Sequence, residues 1–194
     1  MDFQRSNRFL ISQRFTALVN RFDLSTAEGE PVGFAEQKRF NLREQVTVWK
    51  SEDKAEALFT IEAEKVFDVH GKYLVRDEAG EPVGYLRKQF LRSLIRSTWE
   101  AYDTQDTLLY EARERNVAIA LTRRIGGLIP VIGDLLVQLP FGFDLRSEGR
   151  VIGYHRRKRG LRDRYEISLD EDFAATDKRL LLALGLLLDI LQQR

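Results

Sequence analysis

Three stretches of the chain share one pattern of alternating apolar and polar positions with a glycine at its centre. They read FDLSTAEGEPVGF at 22–34, YLVRDEAGEPVGY at 73–85 and FDLRSEGRVIGY at 143–154. The alternation has the period of two that is typical of β-strands. A glycine between two such runs accommodates the positive φ of a tight turn. The pattern therefore predicts three β-hairpins.

A second glycine recurs inside the returning strand of each hairpin, at Gly33, Gly84 and Gly153. Glycine within a strand usually marks a bulge or a close approach of another backbone. Strands wrapped tightly around something would need such a residue at the same place in every repeat. The sequence therefore predicts a curved sheet whose backbones come close at these three points.

The similarity extends beyond the hairpins. Residues 7–66 and 67–116 are predicted to be two copies of a four-stranded meander, and the third hairpin and strand over 142–169 form a partial copy. Trp49 and Trp99 lie 50 positions apart and are interpreted as matching core residues of the two meanders. We expect roughly ten to twelve strands.

The last segment predicts a central helix over 176–192. Asp177 or Thr176 can cap its start, and nine leucine or isoleucine residues between 180 and 191 leave it no polar face. A helix that is apolar on every side must be buried on every side, so we expect the sheet to wrap around it. Asp189, near the end of this helix, is expected to meet solvent or a backbone N–H at the barrel mouth.

Residues 117–141 interrupt the strand pattern as an inserted apolar and partly helical segment. Two alternatives remain open for it: a cover over one end of the barrel, or an exposed apolar patch. An exposed patch would contact a protein partner or a membrane, and the predicted contact residues are Leu128, Ile129, Val131 and Ile132.

Composition narrows the classes of function. A chain of 194 residues with 43% hydrophobic residues suits one domain over 1–194. The absence of cysteine excludes disulfide frameworks, thiolate zinc sites and cysteine nucleophiles. The two histidines, His70 and His155, have no partner that spacing identifies, and no catalytic or phosphate-loop motif is present. We expect no enzymatic activity and no cofactor.

These motifs resemble the tubby C-terminal-like superfamily, and in particular its LURP-one-related and phospholipid scramblase-like branch. The most specific segments are YLVRDEAGEPVGYLRKQ at 73–89, and YEISLDEDF at 165–173 with KRLLLALGLLLDIL at 178–191. The resemblance implies a mainly β fold, a closed antiparallel barrel of about twelve strands around a buried apolar C-terminal helix. It also implies binding of phospholipids, including phosphoinositides. Unlike scramblases, the chain has no cysteine for lipidation, so lipid scrambling is not expected of it.

Basic residues are concentrated after two of the hairpins. Residues 150–164 contain seven Lys or Arg and one acid, and residues 86–96 contain four and no acid. Such strands favour the phosphate of an anionic phospholipid at a membrane surface. The alternative is a solvated barrel exterior in which acids such as Glu166 pair with the cations. The predicted headgroup-binding residues are Arg87, Lys88, Arg92, Arg156, Arg157, Lys158 and Arg159.

The remaining expectations concern metals, partners and location. Asp170 and Asp172 are weak calcium candidates, but their spacing is not that of an EF-hand, and acids near a helix start explain them more simply. A formal net charge of +1 argues against a general polyanion binder, and we expect no specific nucleic acid partner. The first ten residues have no apolar core of a signal peptide. We expect a cytoplasmic protein that can associate with the inner membrane surface.

Overall fold

The structure is a computed structural model that describes residues 2–15, 19–38, 45–64, 71–89, 97–115, 142–158, 164–173 and 175–192. The inserted segment with Leu128, Ile129, Val131 and Ile132 lies outside these residues, as do His70, Arg92 and Arg159. The strands are β1 (Arg8–Phe15), β2 (Val19–Thr26), β3 (Pro31–Lys38), β4 (Gln45–Trp49), β5 (Ala57–Ala63), β6 (Gly71–Asp77), β7 (Pro82–Lys88), β8 (Thr98–Tyr102), β9 (Leu108–Glu114), β10 (Gly142–Ser147), β11 (Arg150–Lys158) and β12 (Arg164–Leu169). The helix α1 spans Lys178–Gln192, and short 3₁₀ turns span Phe3–Arg5 and Glu171–Phe173.

The strands form one closed barrel in which each is antiparallel to its neighbours along the chain. The first strand closes the barrel because it pairs on both sides: Ile11 lies opposite Leu24 of β2 and Tyr165 of β12. The hairpins β2–β3, β6–β7 and β10–β11 lie where the alternating pattern predicts them. The predicted fold, a closed barrel of about twelve strands around a helix, is confirmed.

The N-terminal strand completes the third unit of the barrel. Residues 7–66 contain five strands, β1 to β5, and not the predicted four. Strands β2–β5 and β6–β9 form two equivalent four-stranded units, whereas β10–β12 have no fourth strand of their own in the described part of the chain. Because β1 pairs with β12, it takes the place that β5 and β9 occupy in the other units.

The repeated strand glycines lie where two backbones come close, as predicted. A Cβ placed on each would lie far inside van der Waals contact of a carbonyl oxygen on the next strand. The distance from the added Cβ to the carbonyl oxygen is 2.8 Å for Gly33 and Trp49, 2.3 Å for Gly84 and Tyr102, and 2.1 Å for Gly153 and Ser168. The strand register also shifts beside each glycine, which is the signature of a β-bulge. Both features help a barrel to curve around its contents.

The predicted match between the two tryptophans is wrong. Phe34 lies opposite Trp49 and Tyr85 lies opposite Tyr102, so the equivalent of Trp49 is Tyr102. Trp99 is fully buried in the core, whereas Trp49 is half-buried and outside the core cluster. The connection before β8 is longer than the connection before β4. The spacing of 50 residues between the two tryptophans therefore does not correspond to equivalent positions on the two strands.

Helix α1 fills the barrel as predicted, with every residue from 180 to 190 buried. Asp177 caps it, because its Oδ1 accepts a hydrogen bond of 2.9 Å from the backbone N–H of Arg179. At Gly185 an added Cβ would lie 2.5 Å from Cδ1 of Ile11, so the helix touches the strand that closes the barrel. Each buried leucine contributes about 1.5–3 kcal/mol, which makes α1 a large source of stability.

We predict that Gly153→Ala lowers the free energy of unfolding by about 1–3 kcal/mol, because the new methyl group collides with the Ser168 carbonyl. Urea unfolding followed by circular dichroism measures the loss. Gly142→Ala is the control, since its Cβ would lie 3.2 Å from the nearest atom, and we expect a smaller effect. Equal losses in the two variants would contradict a specific role for the close approach at Gly153.

Candidate functional site

The outer wall of the barrel carries the same arginine and glutamate pairing in its second and third units. Arg87 of β7 lies opposite Glu100 of β8, and Arg156 of β11 lies opposite Glu166 of β12. A tyrosine stands two residues before each arginine on the same strand face. The two positions are therefore equivalent in the repeat. A comparison of their side chains shows which of the two carries an excess of positive charge.

In the third unit, three cations surround one buried carboxylate, a group that we call the Glu166 cluster (Arg8, Tyr154, Arg156, Lys158 and Glu166). Lys158 Nζ lies 3.1 Å from Oε2 of Glu166, Arg156 Nη2 lies 3.6 Å from Oε2, and Arg8 Nε lies 3.5 Å from Oε1. The Tyr154 hydroxyl donates a 2.9 Å hydrogen bond to Oε1. The Arg156 guanidinium lies over the Tyr154 ring, 4.1 Å from its centroid.

The surroundings of Glu166 keep it charged. Burial opposes ionisation, but hydrogen bonds from Tyr154 and Lys158 and the charges of Lys158 and Arg156 outweigh it, so the pKa of Glu166 lies below its usual value. Its side chain is 3% exposed, whereas those of Arg8, Arg156 and Lys158 are 59%, 51% and 47% exposed. The cluster therefore shows solvent a net charge of +2, from three cations and one anion.

The equivalent group in the second unit is neutral, and we call it the Glu100 cluster (Arg87, Gln89, Glu100 and Tyr102). Oε2 of Glu100 accepts hydrogen bonds from Arg87 Nε at 3.0 Å, Gln89 Nε2 at 2.6 Å and the Tyr102 hydroxyl at 2.9 Å. Arg87 also contacts the Tyr102 ring, 4.8 Å from its centroid. One cation balances one carboxylate, and the position of the third-unit lysine is taken by Gln89.

Strand alternation separates the predicted binding residues. By strand alternation, Lys88 and Arg157 belong to the inward set of β7 and β11, next in sequence to the outward Arg87 and Arg156. Arg157 is nevertheless exposed, because it lies near the end of its strand. Lys88 Nζ lies 5.6 Å from the ring centroid of the buried Trp99. A count of charges along the chain groups these residues together, whereas the barrel places only alternate ones on its outer wall. The binding role predicted for each residue remains a prediction.

Sequence reasoning missed Arg8, the cation that reaches Glu166 from the other side. Arg8 belongs to β1, which meets β12 only because the barrel closes. No run of basic residues marks Arg8 in the sequence, and it is 158 positions from Glu166. The contact could have been predicted only from the expected closed barrel, because closure requires the first and last strands to pair.

A buried pair joins the barrel to its central helix. The expectation that Asp189 meets solvent is wrong: it is 2% exposed, and its Oδ1 lies 3.7 Å from Nε2 of His155. The His155 ring stacks on Tyr165 at 5.5 Å with an interplanar angle of 4°. Burial lowers the pKa of His155 to about 3, so its imidazole is neutral at pH 7.

The two calcium candidates have different surroundings. Asp172 forms an ion pair of 2.8 Å with Arg150, and Asp170 lines a surface groove described below. Among the described residues, no group of three or more histidine, aspartate or glutamate side chains could hold a metal ion together.

A polar groove lies beside the Glu166 cluster, and we call it the N-terminal groove. It lies between the 3₁₀ turn at Phe3–Arg5, the β2–β3 turn and the residues that follow β12, with a volume of about 580 Å³. Arg8 and Tyr154 line it, so the groove and the cluster share a wall. Five carboxylates and two arginines contribute to its lining.

Comparison with protein-family models finds a match to LURP-one-related over residues 9–189, which covers all strands except the first residue of β1, and most of α1. The chain belongs to the LURP-one-related family. This family is part of the tubby C-terminal-like superfamily, so the resemblance on the hairpins and the final helix is confirmed. No curated protein matches this LURP-one-related chain. Within its described residues, no helix has the length and apolarity to cross a bilayer.

We predict that His155 makes the free energy of unfolding depend on pH, at pH values above those at which ordinary carboxylates titrate. The unfolded chain binds a proton near pH 6.5, whereas the folded chain resists it down to about pH 3, so stability falls as pH is lowered through this window. The loss attributable to His155 should reach about 2 kcal/mol at pH 5. Urea unfolding of wild type and His155→Gln at pH 7.5 and pH 5 measures it. Identical pH dependence in the two proteins would contradict the prediction.

Proposed function

We propose that this LURP-one-related barrel is a non-enzymatic module that binds anionic phospholipid headgroups through the Glu166 cluster. The observation that carries the proposal is the uncompensated charge of that cluster on the outer wall. Each Lys or Arg held near an anionic bilayer contributes about 1 kcal/mol. An arginine can also bind two phosphate oxygens at once. Binding of this kind would bring the protein to the cytoplasmic surface of a membrane.

The contrast between the two clusters supports the choice of the third unit. Arg87 already directs two guanidinium nitrogens, Nε and Nη2, at the Glu100 carboxylate, at 3.0 and 2.8 Å. A phosphate would have to displace that carboxylate. In the Glu166 cluster the contacts of Arg8 and Arg156 with the carboxylate are longer, at 3.5 and 3.6 Å. These side chains can turn to a phosphate while Lys158 and Tyr154 continue to hold Glu166.

The position of His155, the histidine within the described residues, supports a function without catalysis. His155 is the residue type most often used for proton transfer at neutral pH. Here it is completely buried between β12 and α1, away from the outer wall and the N-terminal groove. The alternative function, a protein-interaction module that uses 128–141, concerns residues outside the described part of the chain and remains a prediction.

Cosedimentation with vesicles tests the proposal. Wild-type protein should sediment with vesicles that contain phosphatidylglycerol and stay in solution with phosphatidylcholine alone. High salt should weaken the binding, because counterions screen exposed charges. Equal binding to both kinds of vesicle would contradict a headgroup site and favour insertion of an apolar segment. Absence of binding to both would contradict lipid binding.

We predict that Arg156→Gln with Lys158→Gln weakens binding to anionic vesicles by about 2 kcal/mol, or about 30-fold. Lys50→Gln with Lys54→Gln is the matched control, because it removes the same charge from two lysines of the β4–β5 turn, which pair with Glu56 and with Glu36 of β3. Glu166→Gln should have the opposite effect and tighten binding, since it removes the anion of the cluster. Circular dichroism confirms that each variant is folded. Equal weakening by both double variants would show general charge attraction instead of a site.

A further inference from the structure

The N-terminal groove adds a wall of opposite charge next to the Glu166 cluster. Arg8 and Tyr154 belong to both, so a ligand phosphate at the cluster would lie at the entrance of the groove. The β2–β3 turn contributes Glu28 and Glu30 to the lining, and the chain after β12 contributes Asp170. A ligand that reaches from the cluster into the groove passes from cations to carboxylates.

The carboxylates of this wall are available to a ligand. Glu28, Glu30, Asp170 and Glu171 are exposed, and within the described residues their side chains form no hydrogen bond or ion pair with the protein. The situation differs at the Glu166 cluster, where the carboxylate is already surrounded by donors. Unpaired charges that line a groove indicate a binding site more strongly than charges on a flat surface do, because they can contact a bound ligand from two sides.

The groove is large enough for a small headgroup. Its volume of about 580 Å³ falls within the range of roughly 300–1,000 Å³ that is common for small-molecule sites. Phosphate prefers arginine donors, and a primary ammonium prefers carboxylate acceptors. The same carboxylates repel a headgroup that carries additional phosphates.

We propose, on the basis of the function proposed above, that the site takes a phosphodiester with a primary ammonium group. This is the chemistry of an aminophospholipid headgroup. The phosphate lies against Arg8 and Arg156, while Tyr154 continues to donate to Glu166. The ammonium lies among the groove carboxylates. The site therefore distinguishes phospholipids of equal net charge by the ammonium, and it discriminates against polyphosphoinositides.

Vesicles matched for total charge test this selectivity. One set contains phosphatidylserine, a second contains phosphatidylglycerol and a third contains a polyphosphoinositide, each diluted in phosphatidylcholine. We expect binding to phosphatidylserine to be about fivefold tighter than to phosphatidylglycerol, because the ion pair of its ammonium with the groove outweighs the repulsion of its own carboxylate. Equal binding to these two lipids, or tighter binding to the polyphosphoinositide, would overturn the inference and leave the proposed lipid binding intact. Absence of binding to all three would overturn both.

The repeats provide a matched variant for the groove. Glu30 and Glu81 occupy the same position in the two GEPVG turns, and both are exposed, but only Glu30 lines the groove. Glu30→Gln should reduce the ratio of phosphatidylserine to phosphatidylglycerol affinity, and Glu28→Gln with Glu30→Gln should reduce it further. Glu81→Gln should leave the ratio unchanged. Equal effects of Glu30→Gln and Glu81→Gln would overturn the role of the groove.

Soluble probes distinguish a membrane lipid from a free phosphate ester with the same chemistry. Titration with glycerophosphoserine and glycerophosphoglycerol, followed by calorimetry, should show a preference for the amine-bearing ester. A preference that appears with the soluble esters and not with vesicles would identify a free metabolite as the ligand and overturn the lipid assignment. A preference in both formats supports the aminophospholipid headgroup.

Discussion

The enclosure of α1 is the constraint on which the rest of the structure depends. A helix with apolar side chains on all sides is stable in water only if other elements surround it completely. The closed barrel meets this requirement, and the three strand glycines allow neighbouring backbones to come close enough for it to curve. Because the helix occupies the interior, the described charged groups for which we propose a binding role lie on the outer wall and in the N-terminal groove.

The three units show how a repeated fold acquires different local properties. The second and third units keep an arginine opposite a glutamate at the same strand positions. A glutamine follows in one unit and a lysine in the other, and only the third unit receives an additional arginine from β1. The proposed lipid binding therefore depends on an imbalance of charge at one of two equivalent places, while the strand pairing at both is the same.

Much of the fold could be predicted because its determinants are local. The alternating hairpins, the strand glycines and the apolar helix each need only a short window of sequence. The site was harder to predict because Arg8 and Glu166 meet only through closure of the barrel. Lys88 and Arg157 were grouped with their neighbours by charge alone, although strand alternation would have separated them. The pairing of Asp189 with His155 depends on how the helix is rotated inside the barrel, which the sequence pattern leaves open because every face of that helix is apolar.

The pairing of β1 with β12 also sets an order of events during synthesis. More than 150 residues separate Ile11 from its partner Tyr165, and α1 follows later still. At roughly 5–20 residues per second, the ribosome needs about 10–30 s to supply the strand and helix that β1 contacts. Throughout that interval β1 has an unpaired edge and an apolar face without its core. Until the last helix emerges, this edge and this apolar face are open to aggregation.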